Sequence, residues 1–252
     1  MSATEAFALL IPVMLVGWLA SQLFAAATIK WFSGAHLSPR VRQRRVLMVI
    51  AFGIGLPVML ALTLWAAHVM PSENWMSSHC GAHSHHHIHA CADTAFAAPA
   101  GGGYMIIAAL AALLVASIMI RKLRHGRVLN RHLANLIRLS QGRGAFRILD
   151  DDRVLALAVG GSTPAVLMSK GLLNQLSLRQ RRIVLAHECA HLRHGDHWRS
   201  NLVELWRALF LPPISRRLRQ IWRDALEQAA DDATAKRFDP IDVAQTLLHV
   251  LG

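Results

Sequence analysis

Apolar and polar positions divide the chain into a hydrophobic first half and a charged second half with helical periodicity. Long apolar runs cover residues 6–29, 46–70 and 103–120, and each is long enough to cross a bilayer as an α-helix. From Arg121 to Ser140, leucines and other apolar residues recur at helical spacing among arginines, which predicts that the third helix continues as a basic stem. We therefore expect three transmembrane helices in residues 1–120 and a separate domain in residues 121–252.

The pattern after residue 140 predicts a small sheet followed by several helices. Short alternating or apolar runs bounded by glycines predict strands at 146–149, 154–159 and 165–169. Ser177 and Gln180 form a capping box, and Gly195 is a typical helix stop, so a helix is expected between them. Further helices are predicted after an Asp196 cap up to Pro212-Pro213, over 214–237 and over 240–251.

Charge and hydropathy support a membrane protein with a defined orientation. The chain has 54% hydrophobic residues and a formal net charge of +12. Lys and Arg cluster between residues 30 and 45 and between 121 and 127, whereas residues 71–102 contain neither. By the positive-inside rule the N-terminus is outside and residues 121–252 are cytoplasmic. We expect a multi-pass protein of a bacterial-type inner membrane, with the lipid bilayer as its partner. No nucleic-acid binding is expected, because no motif for it accompanies the charge.

The outer loop of residues 71–102 is rich in histidine and also carries two cysteines. Such a tract can bind Zn²⁺, Cu²⁺ or Ni²⁺ as an accessory metal site, and the cysteines could form a disulfide in an oxidising compartment. The alternative is a flexible polar loop whose histidines have no specific role. The candidate metal ligands are His79, His83, His85, His86, His87 and His89, and the candidate disulfide joins Cys80 and Cys91.

The strongest chemical signal is His187-Glu-Cys-Ala-His191 within the predicted helix 177–195. Residues four apart lie on one helix face, so both imidazoles can bind one metal ion, with Glu188 beside them. Two neutral imidazoles suit Zn²⁺, and a neighbouring carboxylate can take a proton from water as it attacks a carbonyl. The pattern therefore predicts one catalytic zinc ion with Glu188 as the general base.

Two residues compete for the role of third zinc ligand. His197 stands where the third histidine of the metzincin pattern would fall, but residue 194 is histidine instead of the required glycine, and no methionine follows. Glu227 is favoured, because Asp231 follows one turn later and can hold the far nitrogen of a ligand imidazole. His194 and Arg223 are candidate groups for stabilising the oxyanion.

These motifs resemble those of the gluzincin metallopeptidases. The segments His191-Leu-Arg-His-Gly-Asp196 after the zinc motif and Ala165–Leu173 before it, together with the upstream apolar runs, are similar to membrane peptidases of the BlaR/MecR type, the antirepressor and β-lactam-sensor family. The resemblance implies a mainly α integral membrane protein in which three transmembrane helices precede an α+β gluzincin-like zinc peptidase domain with a small β-sheet. It also implies signal-dependent cleavage of a protein such as a transcriptional repressor.

The sequence departs from the β-lactam sensors in one respect. These sensors carry a penicillin-binding domain after the protease, but the chain contains neither Ser-x-x-Lys nor Lys-Thr-Gly. We therefore do not expect it to sense antibiotics by itself. The function predicted from the sequence is a membrane-bound zinc endopeptidase acting on the cytoplasmic side. The alternative is a non-enzymatic membrane metal sensor or scaffold that uses the His-rich loop.

Overall fold

The computed structural model describes residues 3–32, 37–69, 102–142, 144–161 and 163–251. Most of these residues are helical, and one small sheet lies in the second half of the chain. The helices are α1 Ala3–Phe32, α2 Pro39–Val69, α3 Gly102–Leu139, α4 Lys170–Gln175, α5 Leu178–His194, α6 Asp196–Trp206, α7 Pro212–Ala235 and α8 Pro240–Leu251, with a 3₁₀ turn at Arg207–Leu209. The strands are β1 Phe146–Leu149, β2 Ala156–Val159 and β3 Ala165–Ser169.

Two stretches of the described residues are long and apolar enough to cross a membrane, judged by length and composition alone. They are Pro12–Trp31 in α1 and Pro39–Thr63 in α2. The third predicted span, 103–120, lies in α3; it is not among these two stretches and includes residues whose side chains the structure does not describe. As predicted, the helix continues beyond Arg121 as a basic stem.

The described residues form two compact units. One consists of residues up to Ala25 together with Ala51–Ala116, and the other consists of Ala26–Ile50 together with the chain from Ser117 onward. The second unit therefore contains the sheet, helices α4 to α8 and the first residues of α2. Aromatic packing between Phe24 and Phe52 belongs to the junction of α1 with α2, where the ring centroids are 4.3 Å apart.

The sheet has the strand order β1-β3-β2. β1 runs parallel to β3, and β2 runs antiparallel to it with Ala156 opposite Met168. All five residues of the central strand β3 are buried, as expected for a strand that pairs on both sides and packs against helices. Val166 and Met168 join Val184 of α5 in one apolar cluster, so the sheet lies directly against the helix that carries the zinc motif.

Helix α5 begins and ends at the residues that the sequence predicts. The side chain of Ser177 accepts a hydrogen bond from the backbone N–H of Gln180, and the side-chain oxygen of Gln180 accepts one from the backbone N–H of Ser177. At the other end Gly195 has φ 66°, a left-handed conformation that glycine adopts without a steric cost. Because Gly195 reverses the chain, α6 begins immediately after α5.

Helix α7 is held against α5 by an apolar stripe along one face. Its prolines occupy the first turn, where the missing N–H groups have no helical partner to lose. The buried positions recur at helical spacing and include Leu218, Ile221, Trp222, Ala225 and Leu226. Burial of this stripe fixes the rotation of α7 and thereby directs Glu227, the next residue, toward the imidazoles of α5.

Candidate metal centre

His187, His191 and Glu227 bring three metal-binding atoms together between α5 and α7. Nε2 of His187 lies 3.3 Å from Nε2 of His191. Oε2 of Glu227 lies 3.5 Å from the first nitrogen and 3.7 Å from the second. Among the residues that the structure describes, these three form the group of side chains able to hold a metal ion.

The spacing of these atoms fits a small tetrahedral cation. Zinc binds imidazole nitrogen and carboxylate oxygen at about 2.0–2.1 Å, which places neighbouring ligand atoms about 3.3–3.4 Å apart. The three distances lie close to that value. Two imidazoles and one carboxylate also match a catalytic zinc site, which keeps a fourth position open, whereas structural sites are closed by four ligands and favour cysteine.

A carboxylate stands behind each imidazole. Nδ1 of His191 donates to Oδ2 of Asp196 at 2.8 Å, and Asp196 is only 5% exposed. Nδ1 of His187 lies 3.1 Å from Oδ1 of Asp231, the residue that the sequence pattern placed behind an imidazole. Such partners set which ring nitrogen carries the proton and hold the ring in its orientation.

The role of Asp196 differs from the sequence prediction. We expected its side chain to cap α6, but Gly195 occupies the N-cap position and no side chain caps this helix. The left-handed turn at Gly195 carries Asp196 back toward α5, where its carboxylate meets His191 instead. An acid on the first turn of the helix that directly follows a zinc motif is therefore a sequence signal for an imidazole partner as well as for a helix cap.

The charges of the metal-free site depend strongly on one another. Burial lowers the pKa of His187, but the Asp231 and Glu227 carboxylates outweigh burial and raise this pKa to about 9. Burial likewise lowers the pKa of His191, and Asp196 and Glu227 raise it to about 10. Hydrogen bonding to the two imidazoles holds the pKa of Glu227 well below its usual range. The carboxylates therefore favour the protonated imidazoles, and a metal ion must compete with protons for these nitrogens.

Glu188 lies next to the imidazoles and beside strand β2. Burial raises the pKa of its carboxyl, while His187 and His191 oppose that rise. The backbone N–H of Ala158 donates to this carboxylate and also opposes the rise. A half-buried acid with a raised pKa beside a metal site can accept a proton and give it back.

An open cleft of about 450 Å³ joins these groups. Its walls come from β2, α5, α6 and α7. Trp222 forms part of the α7 wall and is 2% exposed, and its indole nitrogen donates to Oγ of Ser200 at 3.1 Å. The lining also includes Ala156, Leu157, Ala158, Leu192, His197, Glu204, Arg219, Arg223 and Leu226.

The remaining site residues predicted from the sequence occupy different positions. Arg223 lines the cleft one turn before Glu227, whereas His194 is not among the lining residues. His197, the alternative third ligand, lines the cleft but is not in the metal-binding group. A Cβ added at Gly160 would lie 2.6 Å from Cβ of His197, so His197 packs on the glycine backbone at the end of β2. The histidines and cysteines of the outer loop lie outside the described residues.

Comparison with known proteins supports a metallopeptidase. Residues 121–229 match the family model of peptidase family M48, a match that includes all three candidate ligands and Glu188. It supports a zinc metallopeptidase family and hence a metal-dependent protease. The narrower resemblance to the BlaR/MecR type stays a prediction. No curated protein matches the chain.

Proposed function

We propose that this chain is a zinc-dependent endopeptidase that cuts protein substrates. The observation that carries the proposal is the triangle formed by the ligand atoms of His187, His191 and Glu227, which lies beside Glu188 in an open cleft. The match to peptidase family M48 over the same residues supports it. A closed structural zinc site would have no need of an open cleft or of a neighbouring acid.

The side chains around the cleft suit peptide hydrolysis. Zinc, when bound, supplies a Lewis acid that polarises a peptide carbonyl and makes water more acidic. Glu188 takes the proton from the attacking water and delivers it to the nitrogen of the leaving amine. Asp196 and Asp231 keep the imidazoles oriented throughout. Arg223 carries the positive charge that we assign to the developing oxyanion.

Strand β2 provides a place for an extended substrate. Within the described residues β2 pairs with β3 alone, and three of its four residues line the cleft. A peptide added along such an edge gains backbone hydrogen bonds regardless of its sequence. This arrangement favours a polypeptide substrate over a small molecule.

Membrane location and orientation are part of the proposal. The two apolar helical stretches support insertion, and we add residues 103–120 as a third span with the peptidase domain on the cytoplasmic side. Cysteine accessibility mapping tests this orientation. Single cysteines introduced at residues 74 and 232 of a chain whose native cysteines are replaced should label from the outside and from the inside, respectively. The reverse pattern would contradict the orientation.

The substrate and its regulation follow from the resemblance to the BlaR/MecR type. We propose a cytoplasmic protein substrate, such as a transcriptional repressor, that is cut when a signal arrives from outside. A gene for a small repressor next to this one would support the assignment. Incubating such a repressor with the full-length chain and measuring its cleavage would test the assignment directly.

Substitution of Glu188 distinguishes an enzyme from a metal sensor or scaffold. Glu188→Ala should leave zinc bound, because Glu188 is not a ligand, and should abolish cleavage of an unfolded protein such as casein. Glu204→Ala provides a control, since Glu204 lines the same cleft but lies in ion pairs with Arg207 and Arg219. Wild-type cleavage by Glu188→Ala would remove the peptidase assignment.

A further inference from the structure

The first turns of α2 make direct contact with the helix that carries Glu227. The side-chain amide of Gln43 donates to the carbonyl oxygen of Ala225 at 3.2 Å. The neighbouring residue, Arg42, donates to the side chain of Gln228. These two bonds reach α7 on either side of Glu227, two residues before it and one residue after it. Residues more than 180 positions apart in sequence are therefore hydrogen-bonded on both sides of the candidate ligand Glu227.

Gln43 also begins a chain of polar contacts that leads to His191. Nη2 of Arg199 donates to Oε1 of Gln43 at 2.9 Å. Nη1 of Arg199 lies 3.8 Å from Oδ1 of Asp196, and the other carboxylate oxygen of Asp196 accepts from His191. The guanidinium carbon of Arg199 also lies 5.3 Å from the ring centre of Trp222 on α7, a distance at which a cation is attracted to the ring face.

The side-chain amide of Gln43 is buried and therefore needs hydrogen-bond partners. Gln43 is 4% exposed, and a buried amide without partners would cost on the order of 1–3 kcal/mol. Its oxygen and its nitrogen each have a partner, one on α6 and one on α7. A leucine or methionine would fill the same space without the cost of burying an amide. The amide is therefore explained by the two contacts that it makes and not by packing alone.

We propose that Gln43 is a positioning residue of the metal centre. It holds the Ala225 carbonyl and Arg199, and thereby fixes Glu227 and the Asp196–His191 pair in the arrangement that binds the ion. This inference rests on the proposed zinc site. It also makes α2, whose candidate membrane stretch Pro39–Thr63 contains Gln43, a structural part of the metal centre.

The test compares zinc affinity in full-length variants by competition with a chromogenic chelator. Gln43→Met keeps the volume and removes both hydrogen bonds, so zinc should bind about tenfold more weakly, the lower end of the range for outer partners of metal ligands. Gln43→Glu keeps an acceptor for Arg199 but has no donor for Ala225, and its affinity should lie between those of Gln43→Met and wild type. Gln175→Met makes the same chemical change at an exposed position and should bind zinc like wild type.

A spectroscopic measurement separates positioning from general loss of stability. In the Co²⁺-substituted protein, Gln43→Met should shift the visible absorption bands, which report the ligand geometry, while Gln175→Met should not. Wild-type zinc affinity in Gln43→Met would overturn the proposal. If Gln43→Met does not fold, Gln43→Glu decides: reduced affinity supports the assignment and wild-type affinity overturns it.

Zinc binding also distinguishes this proposal from the peptidase proposal. A wild-type chain that binds zinc but cleaves no protein would refute the peptidase, while an affinity loss in Gln43→Met would still support the role of Gln43. A wild-type chain that binds no zinc would overturn both. Zinc affinity unchanged in Gln43→Met, together with full proteolysis, would overturn only the role of Gln43.

Discussion

Asp196 lies five residues after His191, and its carboxylate holds the far nitrogen of that imidazole at 2.8 Å. The contact depends on the left-handed turn at Gly195, which ends one helix and begins the next. Asp231 stands in the equivalent position behind His187 at 3.1 Å. Each imidazole therefore has its own carboxylate, one supplied by α6 and the other by α7.

Neutralising Asp196 should weaken metal binding. Asp196→Asn keeps the shape but removes the charge that favours the correct tautomer of His191, so zinc affinity should fall roughly 10- to 100-fold. Competition with a chromogenic chelator measures the change. Asp232→Asn, an exposed acid on α7, serves as the control and should bind zinc normally. An unchanged affinity in Asp196→Asn would show that the carboxylate does not support the ligand.

The identity of the third ligand can be tested by two parallel substitutions. Glu227→Gln should weaken zinc binding by more than the roughly 100-fold upper limit for outer partners, because it removes an anionic ligand. His197→Gln should have little effect, since this ring packs on Gly160 and is not in the metal-binding group. Isothermal titration of zinc into both variants measures the difference. The reverse ranking would favour His197 as the ligand.

Zinc binding should release protons. Near pH 7.5 the metal-free chain holds protons on His187 and His191, whose pKa values are raised to about 9 and about 10, and zinc requires neutral imidazoles. Binding should therefore release protons. Titration calorimetry in two buffers with different ionisation heats counts these protons. Release of no protons would mean that the imidazoles are already neutral.

The same pKa shifts predict how the stability of the metal-free protein depends on pH. An imidazole with a raised pKa in the folded state stabilises folding fully below its unfolded value, near 6.5. That contribution is lost as the pH rises through about 9 to 10. Thermal unfolding of the chelator-treated protein should thus occur at lower temperature at pH 10 than at pH 7. The opposite trend would contradict the assigned charges.

Arg223 should affect catalysis without affecting metal binding. Arg223→Gln removes a positive charge that we assign to the developing oxyanion, so kcat should fall about 100-fold, in the range for loss of one oxyanion donor, with little change in KM. Zinc affinity should remain within about twofold of wild type, since Arg223 is not a ligand. Arg216→Gln makes the same change on the same helix outside the cleft and should retain full activity.

Local sequence signals predicted the boundaries of α5 well. Ser177 with Gln180, and Gly195, act on backbone groups within a few residues, so their effect can be read without knowledge of the rest of the fold. Both ends of α5 form as predicted. The small sheet was also predicted, although β2 begins at Ala156 instead of Val154.

Long-range contacts were harder to predict. Asp196 could either cap α6 or reach back to His191, and only the direction of the chain after Gly195 selects between these choices. The contact between Gln43 and Ala225 joins residues 182 positions apart, and no local pattern marks it.

Strand β2 is only four residues long, which limits the length of polypeptide that can pair with it. A polypeptide lying beside it must be fully extended over roughly 13 Å, at about 3.3 Å per residue. Folded proteins rarely present such a stretch at their surface, and most must open locally to do so. The rate at which a target is cut would therefore follow how often that target opens, and stable neighbours in the same compartment would be spared.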